Sequence, residues 1–358
     1  MAIKIIHTGD VHFDSALSGF ADGTKAKIRR EEMKNTFSKI IEYGKNADML
    51  LISGDLFDGK NVGRSTLEFL KNEFSKIKDV KVFISAGNHD PKTFDSVYET
   101  FDFGENVHVF DTEPECIETD EVDIYGVSFK TSNDYRTLLP EIKIKNPDKT
   151  NILVMHGNLS GEDYNPVKPQ DIENSGFDYI ALGHIHMYSG LLRCGKTFYA
   201  YPGCPEGRGL DETGEKGVLA VTLSKGFAES TFIPTCERMY FDEKIDVSGA
   251  ECFDDIIEKI NEIYLGDKHI YRIKLTGETD VLIDTEVLQN RVEGFSVAVV
   301  DNTTPKINLE GLKSEFTLKG LFAKYAFSEK DSMDEEIFYD ALKKGLSFIE
   351  KEERNENR

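Results

Sequence analysis

Short apolar runs that end in polar, glycine-containing turns recur through residues 1–200, and helical patterns separate them. A run of this kind predicts a buried strand, and the alternation of such runs with helices predicts an α/β core. Five of the runs carry a polar cluster at their C-terminal end: Ile3–Ile6, Met49–Ile52, Val80–Ile84, Ile152–Met155 and Tyr179–Leu182. Because ligands bind at this edge of open α/β sheets, we expect the five clusters to form one site.

Length and composition narrow the class of protein. The 358 residues exceed a single core of about 250–300 residues, so we expect a catalytic unit and a smaller one. No run approaches the ~20 consecutive apolar residues of a membrane span, so no membrane contact is expected. Five cysteines lie far apart without a CxxC pair, and no secretory signal precedes the first strand. These features predict a reducing, cytoplasmic location.

The net charge of −22 argues against a surface that is basic all over. Nucleic-acid binding gains much of its affinity from neutralised phosphates. Any contact with nucleic acid must therefore be local, in a cleft where bound cations and a few basic side chains reverse the field.

The polar clusters contain candidate metal ligands. Asp10 and His12 flank Val11 at the predicted end of the first strand, where an extended backbone would point both side chains the same way. The other clusters add oxygen and imidazole donors, which suit manganese, iron, zinc or magnesium. These further candidates are Asp55, Asp58, Asn88, His89, His156, His184 and His186. The alternative is that they are turn residues and core histidines, with Asp58 capping a helix.

The succession DxH, GDxxD, GNHD, a single His and GHxH is complete from Asp10 to His186 and resembles the signature of the calcineurin-like metallophosphoesterases. The resemblance implies a two-sheet sandwich flanked by helices. It also implies two divalent ions, with manganese preferred, and phosphodiester hydrolysis, for which paired cations are suited. One ion would be held by Asp10, His12, Asp55 and His186, and the other by Asp55, Asn88, His156 and His184.

The same resemblance implies further roles for three residues. Asp55 would bridge the two ions. His89 would stabilise the transition state and protonate the leaving oxygen. Asp58 would orient His89.

Three segments, TGDVHFDS, GDLFDGKNVGR and YPGCPEGR, resemble the DNA-repair exonuclease branch of this family, the SbcD type with its YhaO-like members. The likeness extends over about residues 1–235. It implies a DNA nuclease that works with an SMC-like coiled-coil ATPase. Lys60, Arg64 and Arg208 are candidate contacts for DNA phosphates, although exposed basic residues can also be merely solvated.

We expect a metallophosphoesterase catalytic domain at 1–236, an α+β capping domain at 237–305 and a helical tail at 306–358. In the capping domain, Ser248–Glu251 has a capping-box pattern ahead of a helix with Phe253, Ile256, Ile257, Ile260 and Ile263 on one face. In the tail, Ser332–Glu335 has the same pattern ahead of Ile337, Ala341, Leu342, Phe348 and Ile349. The tail is expected to dock on the ATPase or to pack on its own domain, and a homodimer is a further option.

Two other functions compete with a nuclease. A phosphodiesterase or pyrophosphohydrolase acting on a small nucleotide or lipid would suit the acidic composition. A non-catalytic scaffold is disfavoured, because such proteins typically lose ligands, and here His89 and all seven candidate ligands are present.

Overall fold

The structure is a computed structural model that describes residues 2–17, 19–20, 23–159, 161–263, 266–304, 306, 309–312, 316–330, 334, 337–338, 341–342, 344–346, 348–349 and 352. The chain divides into two compact units, Met1–Tyr240 and Phe241–Arg358. The three domains expected from the sequence, with borders at 236 and 305, stay a prediction.

The first unit alternates strands and helices. Its strands are β1 (Ile3–Thr8), β2 (Met49–Ser53), β3 (Lys81–Ser85), β4 (Val107–Val109), β5 (Glu115–Glu118), β6 (Val122–Val127), β7 (Thr150–His156), β8 (Tyr179–Gly183), β9 (Leu192–Cys194), β10 (Thr197–Ala200), β11 (Gly217–Ser224) and β12 (Phe227–Pro234). Its helices are α1 (Gly23–Gly44), α2 (Arg64–Ser75), α3 (Val97–Thr100) and α4 (Pro169–Ser175). The five predicted runs correspond to β1, β2, β3, β7 and β8.

These strands form two six-stranded sheets. The first has the order β12-β11-β1-β2-β3-β4 and the second β5-β6-β7-β8-β10-β9. The strands β1 to β4 run parallel, as do β6, β7, β8 and β10. Since parallel strands end at the same edge, each sheet gathers the turns that follow its strands at one place.

The two sheets pack face to face between helices. Ile5 and Leu51 of the first sheet share a buried cluster with Ile152 of the second. The next residue along β2, Ile52, faces the other way and packs with Phe37 of α1. Successive strand residues thus serve different layers, as a pleated strand buried on both faces requires. The predicted two-sheet sandwich flanked by helices is confirmed.

The second unit contains a three-stranded sheet of order β13-β14-β15. Its elements are β13 (Tyr240–Asp246), α5 (Phe253–Asn261), β14 (Ile270–Thr276), α6 (Thr285–Arg291) and β15 (Ser296–Asp301). Ile256 of α5 and Leu288 of α6 pack with Ile273 of the sheet. This is the predicted order of strand, helix, strand, helix and strand.

The predicted start of the first helix in this unit is wrong. The helix begins at Phe253, and the N–H of Cys252 donates to Asp255 at 3.2 Å. Ser248 lies upstream and accepts instead from the N–H of Glu278 at 3.0 Å. The left-handed turn at Gly249, with φ 83°, separates it from the helix.

Two further helices are α7 (Leu309–Leu312) and α8 (Leu318–Ser328). Beyond them, Phe338, Leu342 and Leu346 are buried against side chains that include Phe322 of α8. The predicted apolar face is therefore out of phase, because Ile337 and Phe348 are exposed while Leu342 is buried. Ser332, Met333 and Glu335 of the predicted capping box lie outside the described residues. Within the described part of the chain, no helix combines the length and apolar character that crossing a bilayer requires.

Candidate metal centre

The turn after β1 differs from the extended backbone expected at Asp10 and His12. Both residues are left-handed, with φ of 52° and 53°. Their N–H groups donate to the carbonyls of Gly54 and Asp55 at 3.0 and 2.9 Å. The expected alternation along an extended strand is therefore wrong. Main-chain hydrogen bonds instead join the turn after β1 to the turn after β2.

Asp10 and His12 nevertheless converge on a common partner, His186, which follows β8. Its Nε2 lies 3.6 Å from Asp10 Oδ1 and 3.3 Å from His12 Nε2. Asp10 and His12 are fully buried, whereas His186 is partly exposed. We call these three residues the His186 half of the site.

Asp55 lies between this group and a second one. Its Oδ2 is 3.7 Å from His12 Nε2 and 3.5 Å from His156 Nε2. Its Oδ1 accepts the N–H of His89 at 2.9 Å. One buried carboxylate therefore faces both groups.

The second group consists of Asn88, His156 and His184 and is called the His156 half. Asn88 Oδ1 lies 2.9 Å from His156 Nε2 and 3.2 Å from His184 Nδ1. The main-chain N–H of His184 donates to the Asp10 carboxylate at 3.1 Å, which ties the two halves together. The structure thus brings all seven predicted ligands into one cluster at the carboxyl ends of the strands.

Close packing holds His156 in place. Its Nδ1 lies 2.9 Å from the carbonyl oxygen of Ser53 at the end of β2. A side chain at Gly54, whose φ is 101°, would strike the His156 ring, and one at Gly183 would strike the Ser53 carbonyl. Glycine at both positions lets the two sheets approach closely enough for this contact.

A neutral hydrogen-bond chain continues from Ser53 into the core between the sheets. Ser53 Oγ donates to Thr8 O at 3.2 Å and therefore accepts from His7 Nε2 at 3.0 Å. His7 Nδ1 is then the acceptor for the Tyr179 hydroxyl at 2.8 Å. Burial lowers the pKa of His7 to about 3, so the chain is uncharged near neutral pH.

His89 and Asp58 lie beside the cluster. Their Nδ1 and Oδ1 atoms are 2.9 Å apart, and the same Oδ1 is 3.3 Å from His12 Nδ1. The hydrogen bond to Asp58 raises the pKa of His89. Hydrogen bonds from His12 and His89 hold the pKa of Asp58 far below its usual range. The helix-cap alternative for Asp58 is wrong, because α2 begins at Arg64 and is preceded by Gly63.

Residues 208–216 supply contacts to His186 that the sequence did not indicate. Glu212 Oε1 lies 2.5 Å from His186 Nδ1, and Lys216 Nζ donates to the His186 carbonyl at 3.3 Å. The His186 hydrogen bond and the Arg208 charge outweigh burial and hold the pKa of Glu212 at about 2. Glu212 is thus ionised and accepts the His186 Nδ1 proton in a hydrogen bond. This leaves His186 Nε2 facing Asp10 and His12. A lone glutamate in a loop rich in acidic residues gave no signal of this role.

The three predicted phosphate contacts have different surroundings. Arg208 lies at the cluster, with Nη1 3.6 Å from Asp58 Oδ1 and Nη2 3.0 Å from Glu212 Oε1. Lys60 is exposed in the loop after β2. Arg64 is exposed and pairs with Glu68 at 2.7 Å on the surface of α2. Of the three, Arg208 has described contacts with the cluster.

The donor set fits a pair of cations. His156 donates through Nδ1 to Ser53, so its Nε2 lone pair faces the Asn88 oxygen at 2.9 Å, acceptor against acceptor. Burial lowers the pKa of His156 to about 3 and that of His12 to about 4, so both imidazoles are neutral near pH 7. Burial also raises the pKa of Asp10 to about 7. Lone pairs and a carboxylate gathered in this way favour positive charge between them.

Two groups of side chains, which share Asp10, each provide three donors for an ion. Asp10, His12 and His186 offer ligand atoms within 4.8 Å of one another, and so do Asp10, Asp55 and His156. The outward nitrogens of two of these histidines also have partners, since Glu212 holds His186 and the Ser53 carbonyl holds His156. Such partners fix the tautomer and orientation of ligating histidines.

Comparison with known proteins identifies the family of this chain. A family model described as calcineurin-like phosphoesterase matches residues 3–188. The chain is 26% identical over 279 residues to the uncharacterized metallophosphoesterase YhaO of Bacillus subtilis (strain 168), which covers 73% of this chain and 67% of YhaO. It is also similar to two archaeal proteins named DNA double-strand break repair protein Mre11.

The Mre11 of Methanosarcina acetivorans is 26% identical over 357 residues, covering 94% of this chain and 55% of that protein. The Mre11 of Methanopyrus kandleri is 25% identical over 226 residues, covering 57% of this chain and 49% of that protein. The chain therefore spans about half the length of these two relatives. With the family match and the His/Asp clusters together, the chain belongs to the calcineurin-like metallophosphoesterases, a family of hydrolases that bind divalent metals.

Proposed function

We propose that this metal-dependent phosphoesterase is a phosphodiester hydrolase that cleaves DNA, as an exonuclease or endonuclease in DNA repair. The DNA assignment is supported by the similarity to the two Mre11 proteins, whose names include double-strand break repair. The hydrolytic assignment is supported by the site itself. Manganese is the ion we propose, because the donors are carboxylate, amide and imidazole rather than thiolate.

The single observation that carries the phosphodiesterase assignment is the His89–Asp58 pair at 2.9 Å beside the ligand cluster. The His89 side chain is 46% exposed, whereas His12 and His156 are buried. Exposure lets His89 reach a substrate, and its raised pKa favours the protonated form. A sugar alkoxide is a poor leaving group, so a positioned acid is needed when a diester is cleaved.

We propose the ligand sets implied by the family signature. Asp10, His12, Asp55 and His186 would hold one ion, and Asp55, Asn88, His156 and His184 the other. When bound, such a pair neutralises charge on the attacking and leaving oxygens of an in-line displacement. The protein residues orient the substrate, and His89 holds the proton for the leaving oxygen.

For phosphate contacts we propose Arg208 first, then Lys60 and Arg64. Arg208 sits against Asp58, which places its charge next to the proposed proton donor. Its Nη1 lies 3.6 Å from Asp58 Oδ1, farther than a hydrogen bond, so its N–H groups are available to a phosphate oxygen. Lys60 and Arg64 would serve DNA phosphates farther from the cleaved bond.

We also propose that the tail binds an SMC-like coiled-coil ATPase. Leu318, Leu321 and Tyr325 of α8 are 63%, 63% and 71% exposed and recur at helical spacing. A coiled-coil surface is a suitable partner for such an apolar stripe. Leu321→Asp with Tyr325→Asp is expected to abolish association in a pull-down while leaving the melting temperature unchanged. Loss of a homodimer in size-exclusion chromatography would instead assign the stripe to a second copy.

The function is tested by incubating the pure protein with Mn²⁺ and either end-labelled duplex DNA or bis(p-nitrophenyl) phosphate. The nuclease proposal expects cleavage of both, abolished by Asp55→Asn and unaffected by the exposed Asp120→Asn. The net charge of −22 favours a second candidate, hydrolysis of a small nucleotide or lipid diester. Turnover of the chromogenic diester with intact DNA would select that candidate, and no turnover of either would refute both.

A further inference from the structure

The loop of residues 201–212 carries two side chains that contact the site. Glu212 holds His186 Nδ1 at 2.5 Å, and Arg208 approaches Asp58 Oδ1 at 3.6 Å. The two are joined to each other, since the Arg208 N–H donates to Glu212 Oε2 at 2.6 Å. The position of this loop therefore decides how His186 and Asp58 are oriented.

The other side of the loop rests on a buried ion pair. Glu206 is 2% exposed, and its Oε1 lies 2.6 Å from Nη2 of Arg29, a residue of α1 that is 0% exposed. The same Nη2 donates to the Gly207 carbonyl at 2.8 Å. The planar guanidinium of Arg29 thus binds both the Glu206 carboxylate and the adjoining Gly207 carbonyl, one residue before Arg208.

The second oxygen of Glu206 is also used. It accepts from Thr36 Oγ1 at 2.8 Å and from the Glu237 N–H at 2.7 Å. Glu206 is therefore held from α1 and from the segment after β12 together. Both oxygens have partners, so the carboxylate has a single defined orientation.

A buried ion pair contributes little to the free energy of folding. Removing two charges from water cancels much of their attraction, and apolar residues of similar volume are often at least as stabilising. What an arginine fork supplies instead is a fixed geometry. The fixed geometry holds the part of the loop that leads directly to Arg208 and Glu212.

We propose that Arg29 and Glu206 form a positioning pair that sets the 201–212 loop, so that Glu212 directs His186 and Arg208 stands against Asp58. Neither residue of the pair belongs to the proposed ligand sets, so both would act through Glu212 and Arg208. The inference rests on the proposed function, because it assigns the loop to the His186 half of a two-ion site. It predicts that damage to the pair weakens that half and leaves the His156 half intact.

The test compares Glu206→Gln with Asp123→Asn. Asp123 is also buried and pairs with Lys149 at 2.9 Å, but it lies in β6 of the second sheet. Stepwise Mn²⁺ titration, kcat and KM on bis(p-nitrophenyl) phosphate, and melting without metal are measured for each. His186→Ala identifies the titration step that belongs to the His186 half.

For Glu206→Gln we expect the His186-dependent Mn²⁺ step to weaken by about 10-fold and kcat to fall by about 10-fold, the lower end of the range for outer partners of ligands. KM rises as well, because the loop also carries Arg208, the first proposed phosphate contact, and the other Mn²⁺ step stays unchanged. Asp123→Asn alters the melting temperature alone. Because Glu206 acts on His186 through Glu212, Glu206→Gln added to Glu212→Gln has little further effect on the His186-dependent Mn²⁺ step.

Arg29→Lys is the second variant, since it keeps the charge but loses the fork. If both variants fold and keep wild-type kcat and both Mn²⁺ steps, the positioning pair is refuted while the proposed function stands. If neither folds, the pair is a folding element and the inference is equally refuted. If the wild-type protein binds no Mn²⁺ and cleaves no diester, the proposed function fails and the inference falls with it.

Discussion

His186 and His156 belong to the two groups that Asp55 faces, and different chemistry holds their outward nitrogens. His186 Nδ1 meets the Glu212 carboxylate, which stands on a loop. His156 Nδ1 meets the carbonyl oxygen of Ser53, which ends a strand. One half of the site thus relies on charged side chains and the other on main chain fixed by a sheet.

The difference extends into the core behind each half. On one side, Glu212 forms an ion pair with Arg208. The buried ion pair of Arg29 and Glu206 holds the same loop. Behind Ser53, a neutral chain leads through His7 to Tyr179. A carboxylate raises the basicity of the imidazole it holds, and here it leaves the pKa of His186 above its usual value despite burial. Single substitutions should therefore alter the His186 half more easily than the His156 half.

The largest expected effect removes what the two halves share. Asp55→Asn is expected to lose two-ion binding and all measurable hydrolysis, because the carboxylate that faces both halves loses its charge. Metal analysis of the purified variant and a diester assay check this. Full two-ion occupancy with wild-type turnover would contradict the bridging role.

The second-largest effect is expected at His89, and it separates metal binding from catalysis. His89→Ala is expected to keep both ions and to lose a factor of about 10²–10⁴ in kcat, the scale for a positioned proton donor. The loss should shrink on a diester with a good leaving group, since such a substrate needs less protonation. An unchanged kcat on a diester with a poor leaving group would remove His89 from the mechanism.

A smaller effect tests the charged half directly. Glu212→Gln is expected to weaken the His186-dependent Mn²⁺ step by about 10–100-fold, because the imidazole loses the anion that orients it. The exposed Glu215→Gln is the matched control. Titration by calorimetry should show the other step unchanged. Equal weakening of both steps would mean that the two halves are not separately held.

The smallest effect on metal binding is expected in the neutral half. Tyr179→Phe leaves His7 Nδ1 without its donor, so unfolding should become easier by about 1–3 kcal/mol. Mn²⁺ affinity should hardly change, since the Ser53 carbonyl stays in its strand. Tyr125→Phe, which removes the hydroxyl that accepts the Lys145 N–H at 2.7 Å, is the control for losing a buried hydroxyl. Denaturant unfolding and Mn²⁺ titration separate the two quantities.

The sequence was informative where local pattern and tertiary structure agree. The strands that lead to the clusters are short apolar runs, and their turns are marked by glycine next to Asp, Asn or His. This is why Asp10, Asp55 and His184 could be grouped before any fold was known. β6 was not anticipated, although Val122–Val127 is buried throughout, because no polar cluster marks its end.

Other features depend on contacts that no short segment encodes. The left-handed backbone at Asp10 and His12 is set by hydrogen bonds to another turn, so a strand-based expectation failed there. Glu212 is one of several acidic residues in its loop, and the sequence does not distinguish it from the others. Arg29 sits among charged residues of α1 and resembles a solvated side chain, yet it is fully buried. Their partners are distant in sequence, so pattern alone could not reveal them.

The close contacts at Gly54 and Gly183 have a consequence for how such a chain can evolve. A side chain at Gly183 would strike the Ser53 carbonyl, which is main chain and is present whatever residue occupies that position. No compensating side-chain substitution elsewhere can relieve a clash of that kind; only movement of a whole strand can. We therefore expect glycine at this position to be inherited together with His156, and a descendant that replaced it would be expected to have abandoned the metal centre.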